Sequence, residues 1–280
     1  MEFSVFRSGH FKTFDQKLLF YRYLPKPQAE ATLVIVHGHG EHSGRYEKFA
    51  SELKSLPVSI AVFDLRGNGR SEGEEVYVDS LADYLKDLSV FLNFIHQSLD
   101  NSGPMILLGH SLGGLISLQW TLQNPGSIKG LVLSSPCLGL NIPPLLAGIN
   151  KVINYFNPKF LYQSPVYPPH LTHSLDEQKM YRTDPLIKRK ISARLAHEMR
   201  EGGEQIKSMK EIVFPIPVAV LTGDMEKVVD PSAARVFYAK LQAPWKDFRL
   251  FHGFYHEIFN ELGQEKAFEA LRQILLKMLG

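Results

Sequence analysis

The stretch Gly109-His110-Ser111-Leu112-Gly113-Gly114 decides the fold of this chain. It follows an apolar run at 105–108 and precedes apolar residues at helical spacing from 115 to 122. The pattern predicts a strand, a sharp turn and a helix, with Ser111 at the turn. The glycines two positions before and after the serine permit such a tight bend, because they carry no Cβ. Ser111 would then stand at a helix N-terminus, where backbone N–H groups favour an anion.

A serine nucleophile needs a base that takes its proton and an acid that orients the base. In folds with this turn, the chain order is serine, acid, histidine. The strand predicted at 217–223 is followed by Asp224 and Glu226, and the strand predicted at 248–251 is followed by His256. Catalytic groups of open α/β sheets gather at the carboxyl ends of the strands. These side chains are therefore the candidates for the acid and the base.

Length and composition fit one large domain, or one domain with an insertion. The 280 residues are 44% apolar, which is enough for a sizeable core, and the net charge of +2 gives no sign of nucleic-acid binding. The single cysteine, Cys137, excludes an intrachain disulfide and fits a reducing compartment. No signal peptide is visible at residues 1–7, and no apolar run reaches the roughly 20 residues that span a bilayer. We therefore expect a cytoplasmic protein.

Strand and helix patterns alternate along the chain. The predicted elements are a hairpin over 11–24 with arms at 11–14 and 18–24, strands over 32–36, 58–63 and 128–134, and a helix over 80–99 that Ser80 caps. This alternation predicts an α/β fold with a mostly parallel sheet covered by helices on both faces.

The alternation stops between residues 137 and 210, which contain several prolines and no clear strand pattern. We therefore divide the chain into an α/β core, residues 1–136 and 211–280, and an inserted lid, residues 137–210, that would lie over Ser111. The lid carries 11 Lys/Arg and 6 Asp/Glu, a net charge of +5, against −3 for the rest of the chain.

The first part of the lid has the pattern of an amphipathic helix. Its apolar face consists of Ile142, Leu145, Leu146, Ile149, Val152, Ile153 and Phe156, and its polar face of Asn150, Lys151 and Asn154. The apolar face either packs on the sheet domain or contacts an acyl chain. Anionic lipid headgroups attract basic residues, so the basic lid also suggests a reversible contact with membrane surfaces.

Two glycine-rich runs follow neighbouring strands. In an enzyme with this serine turn, the run 37–42 supplies a backbone N–H to the oxyanion, and the residue after the nucleophile, Leu112, supplies the other. The second run, 64–73, combines glycines and charges, and we predict a tight, hydrogen-bonded structural loop there.

Five motifs occur in order between residues 37 and 256. They are His37-Gly38-His39-Gly40-Glu41-His42-Ser43-Gly44-Arg45-Tyr46, Asp64-x-Arg66-Gly67-x-Gly69-x-Ser71, the Ser111 stretch, Tyr181-x-x-Asp184-Pro185-Leu186 and Gly253-x-Tyr255-His256. Together they resemble the monoglyceride lipase and lysophospholipase branch of the α/β-hydrolases. Each motif alone is weak, but five in the same order are specific.

The resemblance implies an α/β-hydrolase fold with an eight-stranded sheet, a lid inserted after the sixth strand, no cofactor and no metal. It also implies a small lipid ester as substrate, a monoacylglycerol or a lysophospholipid. It assigns the nucleophile to Ser111, the base to His256, and the oxyanion donors to the backbones of His39 and Leu112. The residues that it assigns to substrate binding are Tyr181, Glu41 and Arg45.

The acid departs from the family pattern. The family carries an aspartate at the fourth position of the run that begins with Gly223, and here that position is Glu226. A glutamate reaches one methylene further and suits the same role if the loop lies slightly back. We prefer Glu226, then Asp224. Asp230 precedes a proline and more simply caps the next helix.

Other functions remain open at this point. The His37, His39 and His42 cluster has the spacing of metal ligands, as a metal-dependent hydrolase would need, although such an enzyme gives no reason for the Ser111 turn. A non-catalytic binding protein with this fold, an esterase for other small esters, and an acyltransferase to another alcohol are the further alternatives. We expect His37, His42, His110 and His252 to have structural roles. The sequence does not determine the oligomeric state.

Overall fold

The computed structural model describes residues 6–99, 103–140, 142–164 and 166–280. Residues 1–5, part of the stretch in which we expected no signal peptide, lie outside the described residues. The strands of the main sheet are β1 (Arg7–Lys12), β2 (Leu18–Leu24), β3 (Ala31–Val36), β4 (Val58–Phe63), β5 (Met105–His110), β6 (Gly130–Ser134), β7 (Val218–Gly223) and β8 (Lys246–Phe251).

Within the described residues, these eight strands form one sheet in the order β1-β2-β4-β3-β5-β6-β7-β8. Strand β2 runs antiparallel to both of its neighbours, and all pairs from β4 to β8 are parallel. The predicted mostly parallel sheet is confirmed. The predicted first arm of the hairpin was wrong in its bounds, because β1 ends at Lys12 and Phe14 already lies in the turn.

The helices are α1 (Phe49–Glu52), α2 (Leu81–Ser98), α3 (Leu112–Gln123), α4 (Pro144–Phe156), α5 (Pro168–Leu171), α6 (Leu175–Thr183), α7 (Ala193–Ser208), α8 (Pro231–Lys240) and α9 (Glu265–Leu279). The described part of the chain also contains two short 3-10 helices, Ser43–Tyr46 and Ile258–Asn260. As predicted, Ser80 caps α2, and its hydroxyl accepts a hydrogen bond from the Ala82 N–H at 3.3 Å.

The core lies on both faces of the sheet, since alternate residues of one strand enter two different apolar clusters. Leu33 and Ile35 of β3 pack with helices α1 and α9, whereas Val34 and Val36 pack with α2, α3, α7 and α8. Burial on both faces explains why the central strands are continuous apolar runs without alternation.

The loop at 64–73 is tightly hydrogen-bonded, as predicted. The two carboxylate oxygens of Asp64 accept from the Ser43 and Arg70 backbone N–H groups at 2.6 and 2.8 Å. The Ser71 hydroxyl donates to the Asp64 carbonyl at 2.5 Å. Asp64 therefore joins this loop to Ser43, the residue that follows the run at 37–42.

The segment between β6 and β7 contains helices α4 to α7. It also contains two short strands, Leu161–Gln163 and Lys190–Ser192, which pair antiparallel. The expectation of no strand there was wrong, because three-residue strands are too short to produce an alternating pattern. A further short pair joins Ile212–Val213 to Leu241–Gln242. We call residues 137–210 the inserted segment.

Helix α4 buries one polar residue and leaves much of its apolar side exposed. Asn154 is buried, while Leu145, Val152, Tyr155 and Phe156 are exposed by 75%, 58%, 81% and 79%. The apolar face therefore does not simply pack on the sheet domain. In the described part of the chain, no helix has both the length and the apolar character needed to cross a membrane.

Candidate active site

Ser111 lies in a sharp turn between β5 and α3. Its φ of +52° falls in the left-handed region, which a side chain other than glycine adopts only under constraint. The neighbouring glycines allow the turn: a Cβ on Gly109 would lie 2.4 Å from the Gly113 carbonyl oxygen, and one on Gly113 would lie 2.0 Å from that of Val36. The predicted strand, turn and helix are confirmed.

The loop at 37–42 packs directly against this turn. A Cβ on Gly38 would lie 3.2 Å from the Ser111 Cβ, so a side chain at position 38 would press against the serine. Within the described residues, neither the His39 nor the Leu112 backbone N–H donates a hydrogen bond. Two backbone donors without partners thus flank Ser111, as an oxyanion site requires.

Glu226 and His256 form a buried pair on the loops that follow β7 and β8. Their Oε2 and Nδ1 atoms are 2.7 Å apart. The second carboxylate oxygen of Glu226 accepts from the backbone N–H groups of Val228 and Val229 at 2.7 and 3.3 Å. These three contacts fix the carboxylate, which in turn fixes the orientation of the imidazole.

The charges of this pair shift both pKa values. Burial alone would raise the pKa of Glu226, but the His256 charge and the hydrogen bonds to the carboxylate lower it. Burial alone would lower the pKa of His256, but the Glu226 carboxylate, with Glu257 and Glu41 behind it, raises it above the usual value. The site therefore favours an ionised acid that stabilises a protonated imidazole.

The two flanking aspartates are engaged elsewhere. Asp224 accepts hydrogen bonds from the exposed His252 ring at 2.9 Å and from the Gly253 N–H at 2.7 Å. Asp230 caps helix α8, where its Oδ1 accepts from the Ser232 N–H at 2.9 Å, as predicted. Of the three carboxylates after β7, Glu226 alone contacts His256.

A small cavity of about 10 Å³ connects the sequence-predicted residues. Ser111, His256, His39, Glu41 and Tyr181 all line it. Behind it lies a buried charge network. Arg45 donates to both carboxylate oxygens of Glu257 at 2.6 and 2.7 Å, to Glu41 at 3.3 Å, and lies over the Tyr181 ring at 5.3 Å. The three residues predicted to bind substrate thus lie together on one side of Ser111.

The carboxylate of Glu41 organises this side. It accepts hydrogen bonds from the Tyr46 hydroxyl at 2.9 Å and from the Gly38 N–H at 3.3 Å. Burial alone would raise its pKa, but the charges of Arg45 and His110 lower the value to about 2. An ionised Glu41 therefore holds the Gly38 backbone against Ser111.

A larger cavity of about 350 Å³ opens on the other side of Ser111 and His39. Its wall is mostly apolar and comes largely from helix α4, through Leu146, Ile149 and Ile153, and from Met199 of α7. Its size and apolar wall match a site for a hydrocarbon chain. Ser111 thus stands between a polar and an apolar compartment.

The histidines at 37, 39 and 42 do not converge on one point. The His37 ring contacts the Gly38 carbonyl at 2.7 Å and accepts from the Leu65 N–H at 2.9 Å, and His42 pairs with Asp184 at 2.8 Å. Among the described residues, the one group with metal-ligand spacing is Glu41, His110 and Glu257, and Arg45 already binds both carboxylates. The donor set does not favour the metal-hydrolase alternative.

Comparison of the sequence with known protein families identifies the family of this chain. The model of the family Hydrolase_4, described as serine aminopeptidase, S33, matches residues 27–263. The chain belongs to the Hydrolase_4 family. It is a serine hydrolase with the α/β-hydrolase fold, as the sequence motifs predict.

Within this family, the chain is similar to lipases. It is 30% identical over 246 residues to phospholipase YtpA of Bacillus subtilis, covering 86% of this chain and 93% of that protein. It is 28% identical to human monoglyceride lipase, over 90% of this chain and 84% of that protein. The crystal structure of Paleococcus ferrophilus monoacylglycerol lipase matches this chain with a TM-score of 0.83 and 29% identity. The match covers 93% of this chain and 99% of the lipase chain. The chain is a monoacylglycerol lipase-like hydrolase.

Sequence reasoning missed two residues near the site. Glu257 binds Arg45, and its carboxylate could have been noticed as the direct neighbour of His256. Ser135 donates to the His256 carbonyl at 2.8 Å from a backbone with φ of +42°. A serine at a strand end carries no motif, so no signal in the sequence would have indicated this contact.

Proposed function

We propose that this hydrolase cleaves single-chain lipid esters, monoacylglycerols or lysophospholipids, into a fatty acid and an alcohol. The observation that carries the proposal is the apolar cavity of about 350 Å³ beside Ser111, whose size and wall fit one acyl chain. Polar side chains lie on the other side of Ser111, around a void of about 10 Å³ that is the size of one water molecule. A substrate with one acyl chain and one hydroxylated head has the matching polarity. A triacylglycerol has no hydroxylated head for the polar side.

The chemistry assigned to the site is acyl transfer through Ser111. The Ser111 hydroxyl attacks the ester carbonyl while His256 takes its proton, and Glu226 holds the imidazole in the required tautomer. The backbone N–H groups of His39 and Leu112 stabilise the oxyanion. His256 then gives the proton to the leaving alcohol. Water, activated by the same histidine, releases the fatty acid and restores the serine.

The inserted segment acts in this proposal as a lid over Ser111. Support comes from the hydrogen bond of the Lys188 N–H to the Gly40 carbonyl at 2.9 Å, which ties the segment to the 37–42 loop. Helix α4 supplies much of the apolar wall, and its other apolar side chains, Leu145 and Val152 among them, face outward. We propose that this outward face contacts membranes reversibly, since the substrates reside there.

A substrate panel tests the proposal. The purified protein is offered monoacylglycerols, lysophospholipids, triacylglycerols, short p-nitrophenyl esters and, because the family description names an aminopeptidase, an aminoacyl p-nitroanilide. We expect the highest kcat/KM on a single-chain lipid ester. Highest activity on the anilide or on triacylglycerol would contradict the substrate assignment. Product analysis with added glycerol identifies acyl transfer to an alcohol.

Ser111→Ala supplies the blank for this panel. Loss of a catalytic serine costs roughly 10⁴-fold or more in rate, and fluorophosphonate labelling should disappear with it. Ser117→Ala is the matched control, because Ser117 is a buried serine of α3 whose hydroxyl lacks a partner among the described residues. Undiminished turnover in Ser111→Ala would refute the assigned nucleophile.

A further inference from the structure

A second groove lies between helices α4 and α7 and shares no lining residue with the cavity beside Ser111. It has a volume of about 590 Å³ and runs between the second half of α4 and the start of α7. Lys151 and Asn154 of α4 and Arg194 and His197 of α7 line it. None of these residues belongs to the site described above.

The groove contains polar atoms that the protein itself leaves unsatisfied. Asn154 Oδ1, Arg194 Nε and His197 Nδ1 are buried and have no hydrogen-bond partner among the described residues. Asn154 is only 7% exposed. Buried polar groups are almost always paired, so three orphan atoms in one groove point to an external partner. That partner must offer both acceptors, for the arginine, and a donor, for the Asn154 oxygen.

The charges around the groove favour an anion. Among the described residues, Arg194 has one carboxylate within 4 Å, that of Glu198 at 3.8 Å. The other oxygen of Glu198 accepts a hydrogen bond from the Leu81 N–H at 2.8 Å. Glu201 lies 4.0 Å from the His197 ring and also pairs with Arg200. Lys151 forms no ion pair within the described residues. Glu201 is thus shared with Arg200, and Glu198 faces Arg194 alone, so the unpaired Lys151 leaves the surroundings of the groove with a net positive charge.

Two aromatic rings flank the groove toward solvent. Tyr155 and Phe156 line it, with exposures of 81% and 79%, and they lie on the same helix as the exposed Leu145. Aromatic side chains prefer the interface between lipid headgroups and acyl chains. An anion bound beside these rings would therefore lie at headgroup depth when α4 meets a membrane.

We propose that this groove binds the headgroup of an anionic phospholipid that carries hydroxyl groups, such as phosphatidylglycerol. The phosphate accepts from Arg194, His197 and Lys151, and a headgroup hydroxyl donates to Asn154 Oδ1. The site would hold α4 on anionic membranes and thereby present the lipase to its substrates. This inference rests on the proposed membrane contact and adds a specific ligand to it.

Vesicle co-sedimentation tests the site. Three proteins are mixed with vesicles of phosphatidylcholine, alone or with phosphatidylglycerol. They are the wild type, a groove variant that combines Arg194→Gln with His197→Gln, and a charge-control variant that combines Lys266→Gln with Lys277→Gln. A basic residue near a lipid surface contributes about fivefold in affinity, so the groove variant should lose about fivefold to tenfold in binding to the anionic vesicles. The control variant, whose lysines are exposed on helix α9, should bind like wild type.

Hydrolysis of a soluble short ester by each variant checks that the fold is intact. Equal losses in the groove and control variants would overturn the site in favour of general surface charge. Equal binding of wild type to both kinds of vesicle would overturn it while leaving the membrane contact standing. If wild type binds no vesicles at all, both the headgroup site and the proposed membrane contact are wrong. Binding of glycerol 3-phosphate without vesicles is measured by calorimetry. If wild type binds it and the groove variant does not, while neither binds anionic vesicles better than neutral ones, the ligand of the groove is a soluble phosphate ester and the proposed lipid headgroup is wrong.

Discussion

Glu226 Oε2 and His256 Nδ1 lie 2.7 Å apart, and both side chains are buried. Asp224, two residues earlier in the chain, instead pairs with the exposed His252. The longer glutamate therefore reaches the histidine from the position where the resemblance led us to expect an aspartate. Its second oxygen is held by backbone N–H groups, so the carboxylate has little freedom to turn away.

Replacing the Glu226 carboxylate should abolish most of the activity. Glu226→Gln keeps the size of the side chain but removes the charge that orients and stabilises the imidazole, and loss of the orienting acid costs about 10⁴-fold in kcat. Asp224→Asn is the matched control and should change kcat little. Steady-state kinetics on a soluble ester measures both. A severe loss for Asp224→Asn with a mild one for Glu226→Gln would transfer the role to Asp224.

The pH dependence follows from the raised pKa of His256. Burial alone would lower this pKa, but the Glu226 carboxylate raises it above 6.5. The base must be neutral to accept the serine proton, so kcat/KM should rise with pH, with a midpoint above 6.5. Glu226→Gln removes the largest raising effect, and burial then lowers the pKa. Proton NMR titration of the imidazole should therefore give a lower midpoint in that variant, and an unchanged midpoint would contradict the pairing.

Much of the fold was predictable because strong local patterns agree with the tertiary structure. The β5–Ser111–α3 turn follows from two glycines whose Cβ atoms would collide with backbone, and Ser80 and Asp230 cap their helices as predicted. The assignment of Glu226 rested on spacing and on the family pattern. Its contact with His256 supports that assignment, which stays a prediction until it is tested by mutation.

Other features depend on contacts between residues distant in sequence. The Arg45–Glu257 pair spans 212 positions, and no pattern near either residue indicates the other. The orientation of α4 was also open, since its periodicity separates two faces without telling which one is buried. The structure buries Asn154 of the polar face and leaves Leu145 of the apolar face exposed, against the usual rule. That orientation depends on contacts with the rest of the inserted segment, such as the hydrogen bond that the Asn150 amide donates to the Ala193 carbonyl.

The outward face of α4 can be tested through Leu145, which is 75% exposed. Leu145→Asp places a charge where the proposed contact inserts an apolar side chain, so binding to vesicles should fall about tenfold or more. Activity on a soluble short ester should stay near that of wild type, because Leu145 does not line the acyl cavity. Leu276→Asp, at a 53% exposed leucine of α9, is the control. Equal vesicle binding by both variants and wild type would exclude α4 from the contact.

The size of the apolar cavity should determine the preferred acyl chain. Ala196 of α7 lines this cavity and is buried, so Ala196→Phe would fill part of the space that a long chain occupies. Each methylene that no longer fits costs about 1–3 kcal/mol in discrimination, so kcat/KM on long-chain monoacylglycerols should fall about tenfold or more while short esters are hydrolysed nearly as before.

Met199→Ala changes the same cavity in the opposite direction and should shift the preference toward longer chains, since Met199 lines the wall beside Ala196. A chain-length series of monoacylglycerols, measured for wild type and both variants, gives the comparison. Opposite shifts of the optimum are expected, because the two substitutions change the volume with opposite sign and leave Ser111, Glu226 and His256 untouched. An equal loss on all chain lengths would indicate disturbed folding, and an unchanged optimum in both variants would mean that the acyl chain binds elsewhere.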